Sequence, residues 1–237
     1  KLVHDGGSDT YSLQVDGGIT TTLIGVAGFQ SLDVGAVSEV SLGPPPYIEV
    51  AMALDNTGSM NTNNKIGALR DAASDLVETL FASGTEVKVG LVPFAQYVNV
   101  GASNAGATWL QAPPAGWTGC VGSRAFPSNT EDADYATKAV PAINGVVCPA
   151  PIQPLTDDKA ALLTSIAGMK AGGWTYIAEG VAWGARVLSP GAPFTGGLAA
   201  SEVQKRGGIK ALIVLTDGEN TKAPTYPLHD SADRALA

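Results

Sequence analysis

Charge is scarce in this chain of 237 residues: Asp, Glu, Lys and Arg make up 15%, against ~25% in an ordinary globular domain. Hydrophobic residues reach 45%, which excludes a charge-rich disordered polymer. Positive charge is scarcer still, with 14 Lys and Arg against 22 Asp and Glu, a net charge of −8, and no basic cluster. A nucleic-acid groove is excluded on that ground, because phosphate backbones are gripped by a positive surface. The excess of carboxylate suits cation binding and a location outside the cytoplasm. Long apolar runs are also missing. The longest, around Ile19–Phe29 and Ala211–Leu215, fall far below the ~20 residues that cross a bilayer. The chain starts at Lys1 without a signal peptide, so the expectation is that a targeting or membrane-anchoring element precedes it in a full-length protein. The two histidines, His4 and His229, lie in irregular terminal segments and read as solvent-exposed bystanders.

Cysteine is limited to Cys120 and Cys148, with no Cys-x-x-Cys or His-x-x-x-His spacing beside them. Both lie in the least regular part of the chain, which gains most from a cross-link, and they read as one disulfide. That bond implies export to an oxidising space. The alternative is two buried thiols in a reducing compartment.

What is present has an order. Leu13 and Val15 sketch a short strand, Thr20–Phe29 a short helix, and the alternation from Leu32 to Leu42 a half-buried strand. Residues 1–43 thus form a small β-rich unit, and Pro44-Pro45-Pro46 a stiff linker. Residues 47–237 then alternate strand and helix. Tyr47–Leu54 is a buried strand ending at Asp55, and Ile66, Leu69, Ala73, Leu76, Val77 and Leu80 make one helical face. Val87–Val92 is a strand stopped at Pro93, Ala95–Val100 an edge strand, and Ile209–Thr216 an apolar strand ending in Asp217-Gly218. Thr156 reads as a helix start and Tyr176–Leu188 as another helix. The fold class is therefore α/β, a Rossmann-like doubly wound and mostly parallel sheet, with residues 101–154 as a long aperiodic insertion closed by the cysteines.

Polar chemistry collects at strand ends. Asp55-Asn56-Thr57-Gly58-Ser59-Met60, Gly173-Trp174-Thr175 and Thr216-Asp217-Gly218 all fall where an open α/β sheet forms its ligand crevice. Two carboxylates and three hydroxyls are hard oxygen donors that suit Mg²⁺. These motifs, in this order, resemble the metal-ion-dependent adhesion site of von Willebrand factor type A domains. The usual first motif has Ser where this chain has Thr57, which keeps the hydroxyl. The resemblance implies that Asp55, Thr57, Ser59, Thr175 and Asp217 hold Mg²⁺, or Ca²⁺ or Mn²⁺, and that an Asp or Glu of a protein partner fills the last position. Such domains continue well past the Thr-Asp-Gly strand, whereas this chain ends twenty residues after Asp217, so the domain is expected to be C-terminally incomplete.

A narrower likeness joins Leu54–Met60, Val92-Pro93-Phe94, Val98–Gly101, Gly119-Cys120-Val121, Cys148-Pro149, Pro154-Leu155-Thr156, Trp183-Gly184 and Leu188-Ser189-Pro190. Together they resemble the G-type proteins of bacterial tight-adherence (Flp-type) pilus assembly. That resemblance implies an exported, membrane-anchored envelope protein whose partner is a pilus or envelope component. A surface adhesin is the competing function. A Mg²⁺-dependent phosphoryl-transfer enzyme with Asp55 as nucleophile is the remote one, since Thr57 replaces the second carboxylate that acid–base chemistry needs.

Several other residues carry expectations. Glu179 and Arg186, seven apart, read as a solvated helical face. Glu219 and Asn220 read as a solvated loop near the site rim, and Trp174 as a rim contact or simple packing. Trp109 and Trp117 are either a miniature core of the long loop or an exposed patch.

Overall fold

A computed structural model describes residues 2–5, 10–20, 31–41, 46–132, 134–218 and 220–230. The chain divides into two compact units, Lys1–Pro45 and Pro46–Ala237. In the first, β1 (Leu2–Asp5), β2 (Thr10–Thr20) and β3 (Ser31–Ser41) form an antiparallel sheet in that order. β2 and β3 pair over their whole length, from Thr10 opposite Ser41 to Thr20 opposite Ser31. The short strand expected at Leu13–Val15 is thus one part of an eleven-residue strand. Of the helix expected over Thr20–Phe29, Thr20 belongs to β2 and the rest lies outside the described residues.

The second unit is built on β4 (Tyr47–Asp55), whose residues are buried except for the half-buried Ile48. Parallel neighbours flank it, β5 (Glu86–Phe94) on one side and β9 (Ile209–Leu215) on the other. Beyond β5 come β6 (Val98–Asn99) and β7 (Cys120–Val121), while β8 (Gln153–Thr156) also pairs with β5. These three are antiparallel to their neighbours, so the sheet is mixed rather than mostly parallel. For β6 the reason is the connection: the Ala95 N–H reaches the Tyr97 carbonyl at 3.0 Å, and a turn that short returns the chain antiparallel because a parallel partner needs a long crossover. β5 also runs through Pro93 to Phe94 instead of stopping there.

Helices cover both faces. Val50, Met52 and Leu54 pack with α1 (Lys65–Ala82) and α2 (Lys159–Ala167). Ala51 and Ala53, pointing the other way as strand alternation requires, pack with α3 (Ile177–Leu188). In α1 the buried residues Ile66, Leu69, Ala73 and Val77 fall on one stripe. α2 starts later than expected: Thr156 ends β8, and the Asp158 carboxylate caps the helix by accepting the Ala161 N–H at 3.0 Å. α3 lies close on the sheet because a Cβ at Gly180 would stand 2.5 Å from the Phe94 ring, and one at Gly184 would stand 2.3 Å from Leu212. Trp183 between them is fully buried. A short α4 (Ala200–Lys205) precedes β9, and a hairpin of β10 (Ala223–Pro224) and β11 (His229–Asp230) follows it.

From residues 101–154, Trp109, Leu110, Val121, Tyr135, Val140 and Ile152 join this core. Trp109 packs its ring 6.3 Å from those of Trp183 and Phe194, and Trp117 donates its indole N–H to the Cys120 carbonyl at 2.5 Å. Neither is an exposed patch. Cys120 and Cys148 are disulfide-bonded across 28 positions, a closure worth roughly 3–4 kcal/mol by chain entropy.

β4 buries a carboxylate in mid-strand as well as the one at its end. Glu49 in β4 is fully buried. It accepts from the Tyr47 hydroxyl and the Leu198 N–H, both at 2.8 Å, and pairs with Lys210 Nζ at 2.7 Å. Burial, with Glu49 beside it, pushes the Tyr47 phenol well above its usual range. Breaking a buried pair strands its remaining charge. Glu49→Ala should therefore lower the urea-unfolding free energy by about 3 kcal/mol or more. Glu86→Ala, which removes the half-exposed partner of Arg206, should cost under ~1 kcal/mol.

Candidate metal centre

The ends of β4 and β9 lie side by side because Leu54 is in register with Leu215. The next residues, Asp55 and Thr216, then meet: the Thr216 hydroxyl donates to Asp55 Oδ2 at 2.6 Å. Asp55 Oδ1 accepts the Thr57 N–H at 2.8 Å. After Gly58 the chain enters a kinked 3-10 segment, Gly58–Asn64, which brings Ser59 round to Asp217. Ser59 donates its hydroxyl proton to Asp217 Oδ1 at 2.8 Å. The 3.0 Å contact between the Thr57 and Ser59 hydroxyls is therefore donated by Thr57. Asp55, Thr57, Ser59 and Asp217 thus form one hydrogen-bonded cluster, buried at Asp55 and Thr57 and open at Ser59.

Thr175 arrives by another route. The Gly173 carbonyl accepts the Gly58 N–H at 2.9 Å, docking the 173–175 loop against the Asp55 loop. Thr175 is buried, and its backbone is clasped by Thr221, whose hydroxyl accepts the Thr175 N–H at 2.9 Å. Asn220 is not a free loop residue: its side-chain oxygen accepts the Ile177 N–H at 2.7 Å and caps α3. Glu219 lies outside the described residues. Trp174 is 59% exposed at the rim, with Lys222 Nζ 5.0 Å from its ring centre.

Lys65, which sequence reasoning passed over, belongs to the cluster. Its ammonium lies 2.5 Å from Asp217 Oδ2. Burial alone would raise the Asp217 carboxyl, but hydrogen bonds from Lys65 and Ser59 and the Lys65 charge outweigh it and hold the group below the usual carboxylate range. The Asp217 side chain is 13% exposed and that of Lys65 42%, so a cation already sits on Asp217 at the mouth of the cluster. A lysine opening a helix faces the positive end of its dipole, and here the Asp217 carboxylate offsets that placement. The donor set fits a hard divalent ion in kind, with two carboxylates and hydroxyls converging. No group of three or more His, Cys, Asp or Glu side chains is placed to hold a metal among the described residues.

A second polar cluster overturns three expectations. Glu179 and Arg186 are buried rather than solvated, and so is His229. Ser123 donates its hydroxyl to Glu179 Oε2 and lies 2.8 Å from His229 Nε2. Glu179 Oε1 also takes the Trp183 indole N–H at 2.8 Å. With the serine proton committed to Glu179, His229 Nε2–H is the donor to Ser123. A hydrolase triad instead sets the acid on His Nδ1, and among the described residues no carboxylate is bonded to His229 Nδ1. The cluster cross-links β11, α3 and the loop after β7.

No protein-family model matches this chain, and no curated protein matches it. Among solved structures it is similar to the pilus adhesin SpaC of Lactobacillus rhamnosus GG, with 14% identity and a TM-score of 0.42 over 98% of this chain and 21% of that one. It is also similar to the type V pili tip protein Mfa5 of Porphyromonas gingivalis, with 10% identity and a TM-score of 0.43 over 92% and 24%. A third likeness is to the pilus adhesin RrgA of Streptococcus pneumoniae, with 13% identity and a TM-score of 0.38 over 93% and 24%. The chain spans about a fifth to a quarter of the length of these adhesins. Superpositions this loose carry no functional argument.

The two clusters respond to acid in different windows. Burial holds the His229 imidazole below its ordinary range despite the Glu179 charge. The unfolded chain therefore binds the extra proton first, and the stability present above the unfolded value of about 6.5 is lost as pH falls below it. The depressed Asp217 loses its contribution only below about 3.9. The melting temperature should drop between pH 7 and pH 5. His229→Gln should flatten that slope, and Asp217→Asn should leave it unchanged.

Proposed function

We propose that residues from Tyr47 onward form a von Willebrand factor type A domain that binds a protein partner through a divalent cation, in the envelope of a bacterium that assembles tight-adherence pili. The observation that carries this reading is the meeting of Asp55, Thr57, Ser59 and Asp217, drawn from two different strand ends, in one hydrogen-bonded cluster. Those four residues, with Thr175 from the docked loop, would hold Mg²⁺. When bound, the ion supplies an electrophilic position that a partner Asp or Glu can occupy. The protein's own residues do the rest. Thr57 N–H and Thr216 fix the Asp55 carboxylate, and Ser59 fixes that of Asp217. Trp174 offers apolar surface beside the site.

Binding rather than catalysis is the role assigned. The groups on Asp55 are an amide and a hydroxyl, and an acid–base partner for phosphoryl transfer needs a proton carrier poised near neutrality. The disulfide supports an exported location. The pilus setting rests on the sequence likeness to the G-type assembly proteins.

Lys65 makes the metal reading testable in two directions. Calorimetric titration with Mg²⁺ should show affinity falling more than about tenfold in Asp55→Ala, since a carboxylate ligand is lost. It should rise severalfold in Lys65→Met, since the competing ammonium is gone. Equal affinity in Asp55→Ala and the wild type would remove the metal site. At the level of the cell, deletion of the gene should abolish pili; normal pili that fail to adhere would mark the protein as a surface adhesin instead.

A further inference from the structure

A cleft of about 550 Å³ opens between the loop after β7, the segment around Lys138–Pro141 and the turn at Tyr226–Pro227, a volume typical of small-ligand sites. Its walls are fixed by main chain: Ser123 N–H donates to the Pro227 carbonyl at 3.1 Å, and Gly122 N–H to the Pro141 carbonyl at 2.9 Å. A Cβ at Gly122 would stand 2.2 Å from the Pro227 oxygen, so the turn seats directly on backbone. None of the residues that line the cleft belongs to the metal cluster.

The charged side chains that line the cleft are both cationic, with the carboxylates of Glu179, Glu131 and Asp132 behind its wall. The chain carries −8 overall, yet Arg124 and Lys138 line the cleft, and no Asp or Glu among the described residues does. Arg124 is buried and rigidly held. Its Nη2 donates to the Glu131 carbonyl, its Nη1 to the Lys138 carbonyl at 3.4 Å, and its guanidinium sits 4.2 Å over the Tyr135 ring. A second buried guanidinium, Arg186, donates to the hydroxyl of the same tyrosine at 3.0 Å. Two cations therefore share one phenol behind the wall. Lys138 is exposed and lines the cleft. Ser123, Ser128 and Tyr226 add hydroxyls. Phe126 is 73% exposed and, with the prolines, gives the cleft an apolar side.

We propose that this cleft is a second ligand site, independent of the metal cluster, that takes a carboxylate carried on an apolar or aromatic body. The carboxylate meets Lys138 and the positive wall at Arg124, and the body lies on Phe126. Arg124 is already bonded to two carbonyls, so Lys138 is the one exposed charge of the lining and matches a monoanion. The apolar side gives hydrocarbon somewhere to leave water, as mixed ligand pockets do. A free aromatic acid and the C-terminal residue of a polypeptide share this chemistry.

Calorimetric titration of the whole chain with 3-phenylpropionate and with its amide tests the assignment. The acid should bind about tenfold or more tightly than the amide, the scale of a hydrogen bond to a charged group. Lys138→Gln, a surface change that leaves the fold alone, should erase most of that difference. Phe126→Ala should weaken both ligands, and a chelator of divalent cations should leave both affinities unchanged. N-acetylphenylalanine binding more tightly than 3-phenylpropionate supports the site with a polypeptide terminus as its source, and the reverse order supports it with a free acid. Equal affinity for acid and amide, no saturable binding of either, or unchanged selectivity in Lys138→Gln overturns it.

Discussion

The register of the three parallel strands governs the second unit. β4 is buried along almost its whole length, and it pairs residue for residue with β5 and β9. Leu54 opposite Leu215 puts Asp55 next to Thr216 and leaves Asp217 one step beyond. A slip of one residue would reverse which side chains meet the helices, sending Val50, Met52 and Leu54 towards α3, where Ala51, Ala53 and two close-packed glycines leave no room for them. The packing of the two faces and the meeting of the carboxylates are thus one constraint.

Charge is handled in three ways within the same unit. Glu49 is neutralised by Lys210 deep in the sheet. Asp217 is neutralised by Lys65 at a strand end open to solvent. Arg124 and Arg186 are held mainly by carbonyls and a shared tyrosine, and burial with the neighbouring Arg186 charge lowers the Arg124 guanidinium from its ordinary range. The first arrangement is structural. The second leaves its lysine open to solvent, while the third keeps both guanidinium groups buried.

Much of this architecture is legible in the chain before folding. The apolar runs of β4, β5 and β9 and the single apolar stripe of α1 obey simple periodicity, and Asp55, Ser59 and Asp217 fall at strand ends where such sheets gather ligands. The antiparallel wing was not legible, because β6 and β7 are two-residue strands whose pairing depends on a tight turn and a disulfide. Glu179 and Arg186 were misread for a clear reason. A charged pair seven apart on a helix normally faces water, but Trp183 lies on the same stripe, and a tryptophan between two charges points to a buried face. His229 gave no signal: its ring packs on Tyr97 and Tyr176 and bonds Ser123, each more than fifty residues away.

The sheet ends at β9 among the described residues, and β9 is only half covered, with Ile209 57% exposed. The disulfide joining β7 to Cys148 acts at the other end of the sheet. Everything between those two cysteines is a covalently closed ring. A single protease cut anywhere in that ring leaves one molecule, since both new ends stay tied to the sheet through sulfur. In an oxidising space shared with proteases, that makes the most irregular stretch of the chain the part least able to be lost by one cleavage.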